Sequence, residues 1–572
     1  MQCLAGRRPI RYHQGMNETG AGHYIPSDPS FESLAKLLTA LERTSQTSQK
    51  VVFVADFLRE LPTESLLLAA RALSGLLLPL GSPQKLNVGW RLIVDSLQAL
   101  PIRQEGWIEA YRETGDMGST VAAMLEEAGY MPEPPTLSLS EIHQCLAEII
   151  ASSGKDSRSN KRAMLEKLWH RLSPIEVKFL IRLFTGDLRV GLKEGLVEAG
   201  VARAFEVPLA QVRHANLLLS DIGEVTRMAQ AGTLSEASLE LLHPCRLMLA
   251  EPIASAAIPF ALGPHRFLAE DKYDGIRAQV HRKGKEVRVF SRNLEEIGLH
   301  FPEILSAART LPGEWILDGE IVAFQGEIQP FFLLQQRLHR VNPEAMLEEV
   351  PVSYFAFDLL FQDGESLLHF PLEERRQRLE ALPLHPPFLL GKQVPVSTEE
   401  ETEAAFRSAR ERGTEGLVLK EPASPYQPGH RGKQWLKMKK ELTTLDCLVV
   451  AVEWGNGKRA GLLSDYTFAV RGENSRLLTI GKAYNGLTDR ELKEMTSWFL
   501  AHKIRDLGWQ LEVEPKIVVE VAFNSIQKSA RHTSGYALRF PRIKGIRWEK
   551  SPEEIDSLEV VRRIYEEEVK AR

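Results

Sequence analysis

A change of period near residue 230 constrains this fold more than any other feature of the sequence. From Ser30 to about Met228 apolar residues recur three and four apart, as in Leu34 to Leu41, Val51 to Leu58, Leu66 to Leu78 and Leu146 to Ile150, which predicts amphipathic helices. Pro62-Thr63-Glu64 reads as a helix start, Pro79 and Gly81 as a stop, and Ser173-Pro174-Ile175-Glu176 as an N-cap followed by proline at the first helical position. Beyond Phe267 the pattern mixes periods. Trp315 to Phe324 and Val352 to Leu359 read as strands, Leu372 to Leu382 and Glu399 to Glu411 as helices. After Leu445, short strands at Leu448 to Trp454, Tyr466 to Val470, Leu477 to Lys482 and Ile517 to Phe523 surround one helix, Asp489 to His502, a count that suits an OB-fold barrel.

A chain of 572 residues with 43% hydrophobic content is expected to hold three or four domains, each with a core of its own. The expected fold class is multidomain: an all-α N-terminal domain, an α+β domain and a C-terminal OB-fold β-barrel. Residues 1–29 are expected to be disordered, 30–235 to form the helical domain, 236–440 the α+β domain, with a connector over 229 to 250, and 441–572 the barrel. No apolar run near the start reads as a secretory signal or membrane anchor. Cys3, Cys145, Cys245 and Cys447 are too scattered for a zinc ribbon or disulfide framework, so a reducing, cytoplasmic compartment is expected. The formal charge of -5 confines any nucleic-acid binding to local basic surfaces.

The segment Lys272-x-Asp274-Gly275-x-Arg277 carries the clearest chemistry. Ile276, Ala278 and Val280 alternate with Arg277, Gln279 and His281, so Lys272 begins a strand with one apolar face, and Lys283-Gly284-Lys285 turns it into a hairpin with Val287 to Phe290. An ordinary lysine is neutral in only about 1 part in 2,500 at pH 7, so a nucleophilic one needs cationic neighbours or partial burial. Arg277 and a bound metal ion are the candidates for that role. Asp318 and Glu320 share one face of their strand, where a carboxylate can accept a ribose hydroxyl. Glu415 heads an apolar strand ending in Lys420, a position suited to Mg²⁺, and Lys437 and Lys439 lie two apart on one face, able to neutralise charge on a phosphate.

These segments follow in a fixed order: Lys272 to Arg277, Ser291-Arg292-Asn293, Asp318-Gly319-Glu320, Phe357 to Leu360, Glu415 to Lys420, Trp435 to Lys439, and Arg539-Phe540-Pro541-Arg542 running to Arg547-Trp548-Glu549-Lys550. Together they resemble the ATP-dependent DNA ligases, over roughly residues 30 to 572. The resemblance implies that the enzyme seals 5′-phosphate/3′-hydroxyl nicks in duplex DNA, in repair, replication or recombination, with ATP and Mg²⁺. It implies Lys272 as the lysine that becomes lysyl-AMP before the AMP passes to the DNA. It also implies nucleotide contacts from Glu270, Arg277, Arg292, Glu320, Phe357, Lys420, Lys437, Lys439, Arg547 and Lys550. Phe357 would stack on adenine, Glu415 and Glu320 would hold the metal, and Arg292 would also reach the nick. Thr185-Gly186-Asp187-Leu188-Arg189-Val190-Gly191-Leu192 resembles the family's backbone-gripping loop, which makes Arg189, with Arg431, a DNA contact; Thr114 to Gly118 is a second glycine-bearing loop. The final element departs from the family's Arg-x-Asp-Lys at Glu549, in the part of the motif that the resemblance ties to pyrophosphate orientation. A monomer off the membrane is expected, nucleoid-associated if the source is bacterial. No sequence feature supports a sliding clamp or repair protein as partner.

Two other readings compete. An RNA ligase or capping guanylyltransferase would share the lysine motif and barrel but leaves the helical domain unexplained. A silent nick-binding scaffold would not need the complete set of lysines with Glu320 and Glu415.

Overall fold

The computed structural model describes residues 29–103, 105–133, 137–262, 266–338, 346–439 and 443–570. The disorder expected of residues 1–29 thus lies outside the described residues, Pro29 excepted. Helices from Phe31–Arg43 to Ile222–Ala231 pack around one large apolar core. Their boundaries follow local chemistry. Ser173 caps Pro174–Phe184 reciprocally with Glu176, and Asp116 caps Met117–Glu127. The helix expected to run to Leu78 stops at Leu73, because Gly75 adopts φ +79 and turns the chain out of the helix.

The middle of the chain forms two sheets. One is ordered Leu249–Ile253, Arg431–Lys439, Gly416–Lys420, Phe267–Lys272 and Gln393–Val396; the other is built on Glu286–Ser291, Ile276–Lys283, Trp315–Ala323 and Val352–Gln362. The chain crosses between them at Tyr273 to Gly275. Gly275 is required there: a Cβ would strike the carbonyl oxygen of Ile321 and the Glu320 side chain.

The strand Ile276–Lys283 is buried on both faces. Ala278 and Val280 enter the core as expected, but the polar stripe is covered as well. Gln279 exchanges hydrogen bonds with the backbone of Cys245 (3.2 and 2.6 Å), and His281 Nδ1 accepts from the Leu242 amide (3.2 Å). The connector is therefore packed onto the sheet. The amide of Arg246 donates to the Leu217 carbonyl oxygen (2.9 Å), and Leu218, Cys245, Met248, Tyr426 and Trp435 share a small core that joins the helical region to the sheets.

The C-terminal region has long strands Thr443–Trp454, Leu463–Arg471, Leu477–Ala483, Val518–Phe523 and Arg542–Ile546, with helix Asp489–Ala501 between the third and fourth. This is the OB-fold order of elements; among the described residues no strand pair closes the sheet on itself. A terminal helix, Leu558–Lys570, lies beyond the expected set. Among the described residues Cys145, Cys245 and Cys447 are free thiols, and no helix is long and apolar enough to cross a membrane.

Candidate active site

Lys272 ends its strand at the crossing between the two sheets, side chain about one-fifth exposed. Glu415 meets it twice. The Glu415 amide donates to the Lys272 carbonyl oxygen (2.8 Å), and Lys272 Nζ donates to Glu415 Oε2. Lys439 Nζ reaches the same oxygen at 2.7 Å, so one carboxylate holds two ammonium groups and is drawn down to about 2 despite its burial. Lys437, two residues before Lys439, has its pKa lowered to about 8, first by desolvation and then by Arg431, Lys439, Lys272 and Arg292. Glu320, on the facing sheet, is raised to about 8 by burial, opposed by Lys272 and Arg277. Lys272, Glu320, Glu415, Lys437, Lys439, Arg292 and Arg431 are thus brought into one electrostatic neighbourhood.

Three expected residues already have side-chain partners of their own. Arg277 is not a free cation beside Lys272: it forms a bidentate pair with the fully buried Asp318 (3.1 and 2.7 Å), so its charge is already balanced. Lys420 is likewise engaged. It is buried, 2.6 Å from Glu270 Oε2, with the Phe357 and Trp435 rings at 4.4 and 4.1 Å from its Nζ. Glu270 is held by that lysine and by Gln393 (2.9 Å). Phe357 is partly exposed and falls where the register between Trp315–Ala323 and Val352–Gln362 slips, a bulge that re-aims a side chain.

The last element behaves differently again. Arg547 pairs with Glu520 (3.1 Å) and Glu549 (2.6 Å), and Lys550 with Asp446 (2.5 Å), so both are engaged on the C-terminal domain itself. Glu549, in the place of the family's aspartate, takes up Arg547. The residue of that region that does reach the Lys272 motif is Arg539, bidentate to Asp274 (2.7 and 3.2 Å) and stacked 4.1 Å from the Phe331 centroid. Asp274 and Arg539 both lie in segments quoted above, but no local signal pairs positions so distant in the chain.

In the helical region Arg189 adopts φ +57 between Gly186 (φ +69) and Gly191 (φ +63). Its Nη1 donates to the Gly115 carbonyl oxygen (2.5 Å), and Arg182 clamps Asp116 (3.0 and 2.7 Å), so the two glycine-bearing loops stand together.

Among the described residues no group of three or more His, Cys, Asp or Glu side chains could hold a metal ion. Glu320 and Glu415, close enough that the charge of Glu415 helps to raise Glu320, supply two carboxylates. That donor set fits Mg²⁺, which takes one or two carboxylates and completes its shell with water and phosphate oxygens.

An amine held by a carboxylate, ringed by cations and faced by a second carboxylate, is the arrangement of a covalent nucleotidyltransferase. Three family models match in order: DNA ligase N terminus over 30–230, ATP dependent DNA ligase domain over 247–439, and ATP dependent DNA ligase C terminal region over 459–550. A probable DNA ligase of Koribacter versatilis is 42% identical, covering 93% of this chain and 96% of that one. A DNA ligase of Thermococcus fumicolans is 35% identical, covering 94% and 98%. The solved structure titled Pmar-Lig_PreS3 superposes with a TM-score of 0.57 at 16% identity, covering 90% of this chain and 99% of that chain, a likeness of fold alone. The chain belongs to the ATP-dependent DNA ligases, enzymes that use ATP to seal nicks in DNA.

Proposed function

We propose that Lys272 is the nucleophile. Its nitrogen attacks the α-phosphate of ATP, a P–N bond forms and pyrophosphate leaves; the AMP then passes to the 5′-phosphate of a nick, freeing the lysine. The 3′-hydroxyl finally attacks that phosphate and expels AMP. The observation that carries this reading is the Glu415 carboxylate shared between Lys272 and Lys439, which fixes one amine and keeps a second cation beside it. Positioning and charge neutralisation dominate such transfers. Lys437, Lys439 and Arg292 supply positive charge for the phosphates, Glu320 accepts the ribose hydroxyl, and Phe357 supplies a stacking face for adenine, a contact of about 1 to 3 kcal/mol. Lys420 and Glu270 hold that wall in place as a pair, and Arg277 faces the reacting phosphates. Glu415 and Glu320 would hold Mg²⁺, which supplies Lewis-acid stabilisation of phosphate charge.

Residues 30–235 grip the duplex, with Arg189 as a backbone contact, and Arg431, at the start of the strand Arg431–Lys439, adds a further one; 236–440 carry the nucleotide chemistry; 441–572 close over it. Arg547 and Lys550 must exchange their present carboxylates for phosphate to take part. Nicked duplex DNA is the substrate, met by a monomer in the cytoplasm, in repair, replication or recombination.

Lys272→Ala and Lys272→Arg should both lose covalent AMP, arginine because it stays protonated at neutral pH. The measurement is transfer of label from α-labelled ATP, resolved under denaturing conditions. Label persisting on either variant would exclude Lys272 as the nucleophile.

A further inference from the structure

Arg277, Gln279 and His281 alternate along one face of the strand Ile276–Lys283, and each binds the connector that leads from the helical region: Arg277 at Met248, Gln279 at Cys245, His281 at Leu242. The Arg277 rung is closed into a ring. Its Nη1 donates to the Met248 carbonyl oxygen (2.7 Å), while the Met248 amide donates to the Tyr426 hydroxyl oxygen (3.0 Å). The Tyr426 hydroxyl donates to Asp318 Oδ2 (2.8 Å), and Asp318 returns to Arg277 through two hydrogen bonds. Tyr426 and Asp318 are buried, at 2% and 0% exposure. A phenol suits this place because one oxygen both accepts and donates at the end of an apolar ring, here set edge-on to Trp435 at 5.6 Å.

We propose that Tyr426 is a positioning residue for nick sealing: it fixes Asp318, and through it the pose of Arg277, against the connector backbone. The inference rests on Arg277 facing the reacting phosphates. Three features carry it beyond ordinary packing. Both backbone groups of Met248 are spent on the ring, so Arg277 cannot swing without moving the connector. Asp318 faces Arg277 with both oxygens, which fixes the guanidinium plane as well as its charge. The guanidinium carbon also lies 5.4 Å from the Phe357 centroid, so a change in its tilt is passed to the aromatic wall. Loss of the hydroxyl leaves the Met248 amide without its acceptor and one Asp318 lone pair unmet, freeing the ring to loosen at the arginine.

The test uses the full chain, pre-adenylated and mixed with nicked duplex in single turnover, for Tyr426→Phe, Asp318→Asn, the double variant and Arg277→Lys, with melting temperature recorded for each. Tyr426→Phe keeps the ring and its contact with Trp435. Its sealing rate at saturating DNA should fall about tenfold, with the concentration for half-maximal rate changed less than twofold. Asp318→Asn should fall further, and the double variant should be no slower than Asp318→Asn alone, since both act through Arg277. A role confined to packing would lower the melting temperature and leave the sealing rate at saturation intact. Wild-type sealing by Tyr426→Phe, or losses that multiply in the double variant, would overturn the proposal while a slow Arg277→Lys left the reading of Arg277 standing. Wild-type sealing by Arg277→Lys would overturn both.

Discussion

Lys437 offers the sharpest quantitative test, because desolvation and four cationic neighbours bring its pKa down to about 8, inside the range where a nick-sealing assay can be run. Its charge is proposed to neutralise phosphate, so the protonated form is the active one. The sign is set by a lysine with a depressed pKa: charged below about 8, neutral above. At pH 9 about 1 molecule in 11 still carries the charge, whereas an arginine at the same place stays charged throughout. Lys272 must lose a proton to act, so a raw rate mixes a rising limb with this falling one. The ratio of wild type to Lys437→Arg removes the shared limb. Measured as kcat/KM for ATP in self-adenylation, which reports groups of the free enzyme, that ratio should be flat below about pH 7, half its plateau near pH 8 and about tenfold lower at pH 9. Replacing Arg431 by Gln should move the midpoint upward, since Arg431 is the largest of the neighbouring charges acting on Lys437. A ratio unchanged from pH 7 to 9.5 would refute both the depressed pKa and the need for its charge.

Other expectations concern the two carboxylates and the helical region. Glu320, raised to about 8 in the free site, is mostly protonated at pH 7; if it binds nucleotide or metal as a carboxylate, ATP–Mg²⁺ binding should release close to one proton. Calorimetry in buffers of different ionisation heat measures this, and Glu320→Gln should abolish that release; identical release in the variant would remove Glu320 from the site. Glu415→Ala frees Lys272 and Lys439 from their common partner and should slow AMP transfer about a hundredfold with a weaker Mg²⁺ dependence; an unchanged Mg²⁺ titration would count against it. Arg189→Ala should leave Lys272 adenylation unaltered while lowering the salt slope of nick binding by about 0.9, and an unchanged slope would mean that the loop holds something other than phosphate. A point substitution is cleaner than removing residues up to 235, since Leu218 belongs to the core that joins the helical region to the sheets.

The sequence by itself determined what short-range chemistry dictates. Period and caps fixed the helices of the first part, as with Ser173 and Glu176 at Pro174–Phe184, and alternation fixed the apolar face of Ile276, Ala278 and Val280. Residue types at ordered spacings fixed the family and the candidate nucleophile. Tertiary structure decided the partners. The polar stripe of Arg277, Gln279 and His281 looks solvent-facing in sequence, because period 2 says only that two faces differ, not what covers the second; a connector 29 to 39 residues upstream does so here, with Gln279 and His281 fully buried. The charges of Arg277 and Lys420 are visible in the sequence, while their pairing with Asp318 and Glu270 is not. Phe357 faces as it does through a bulge, and a register slip depends on two strands at once. Arg539 meets Asp274, and Arg547 and Lys550 meet Glu520, Glu549 and Asp446, because ion pairs form by distance in space, which domain packing sets and local sequence cannot encode.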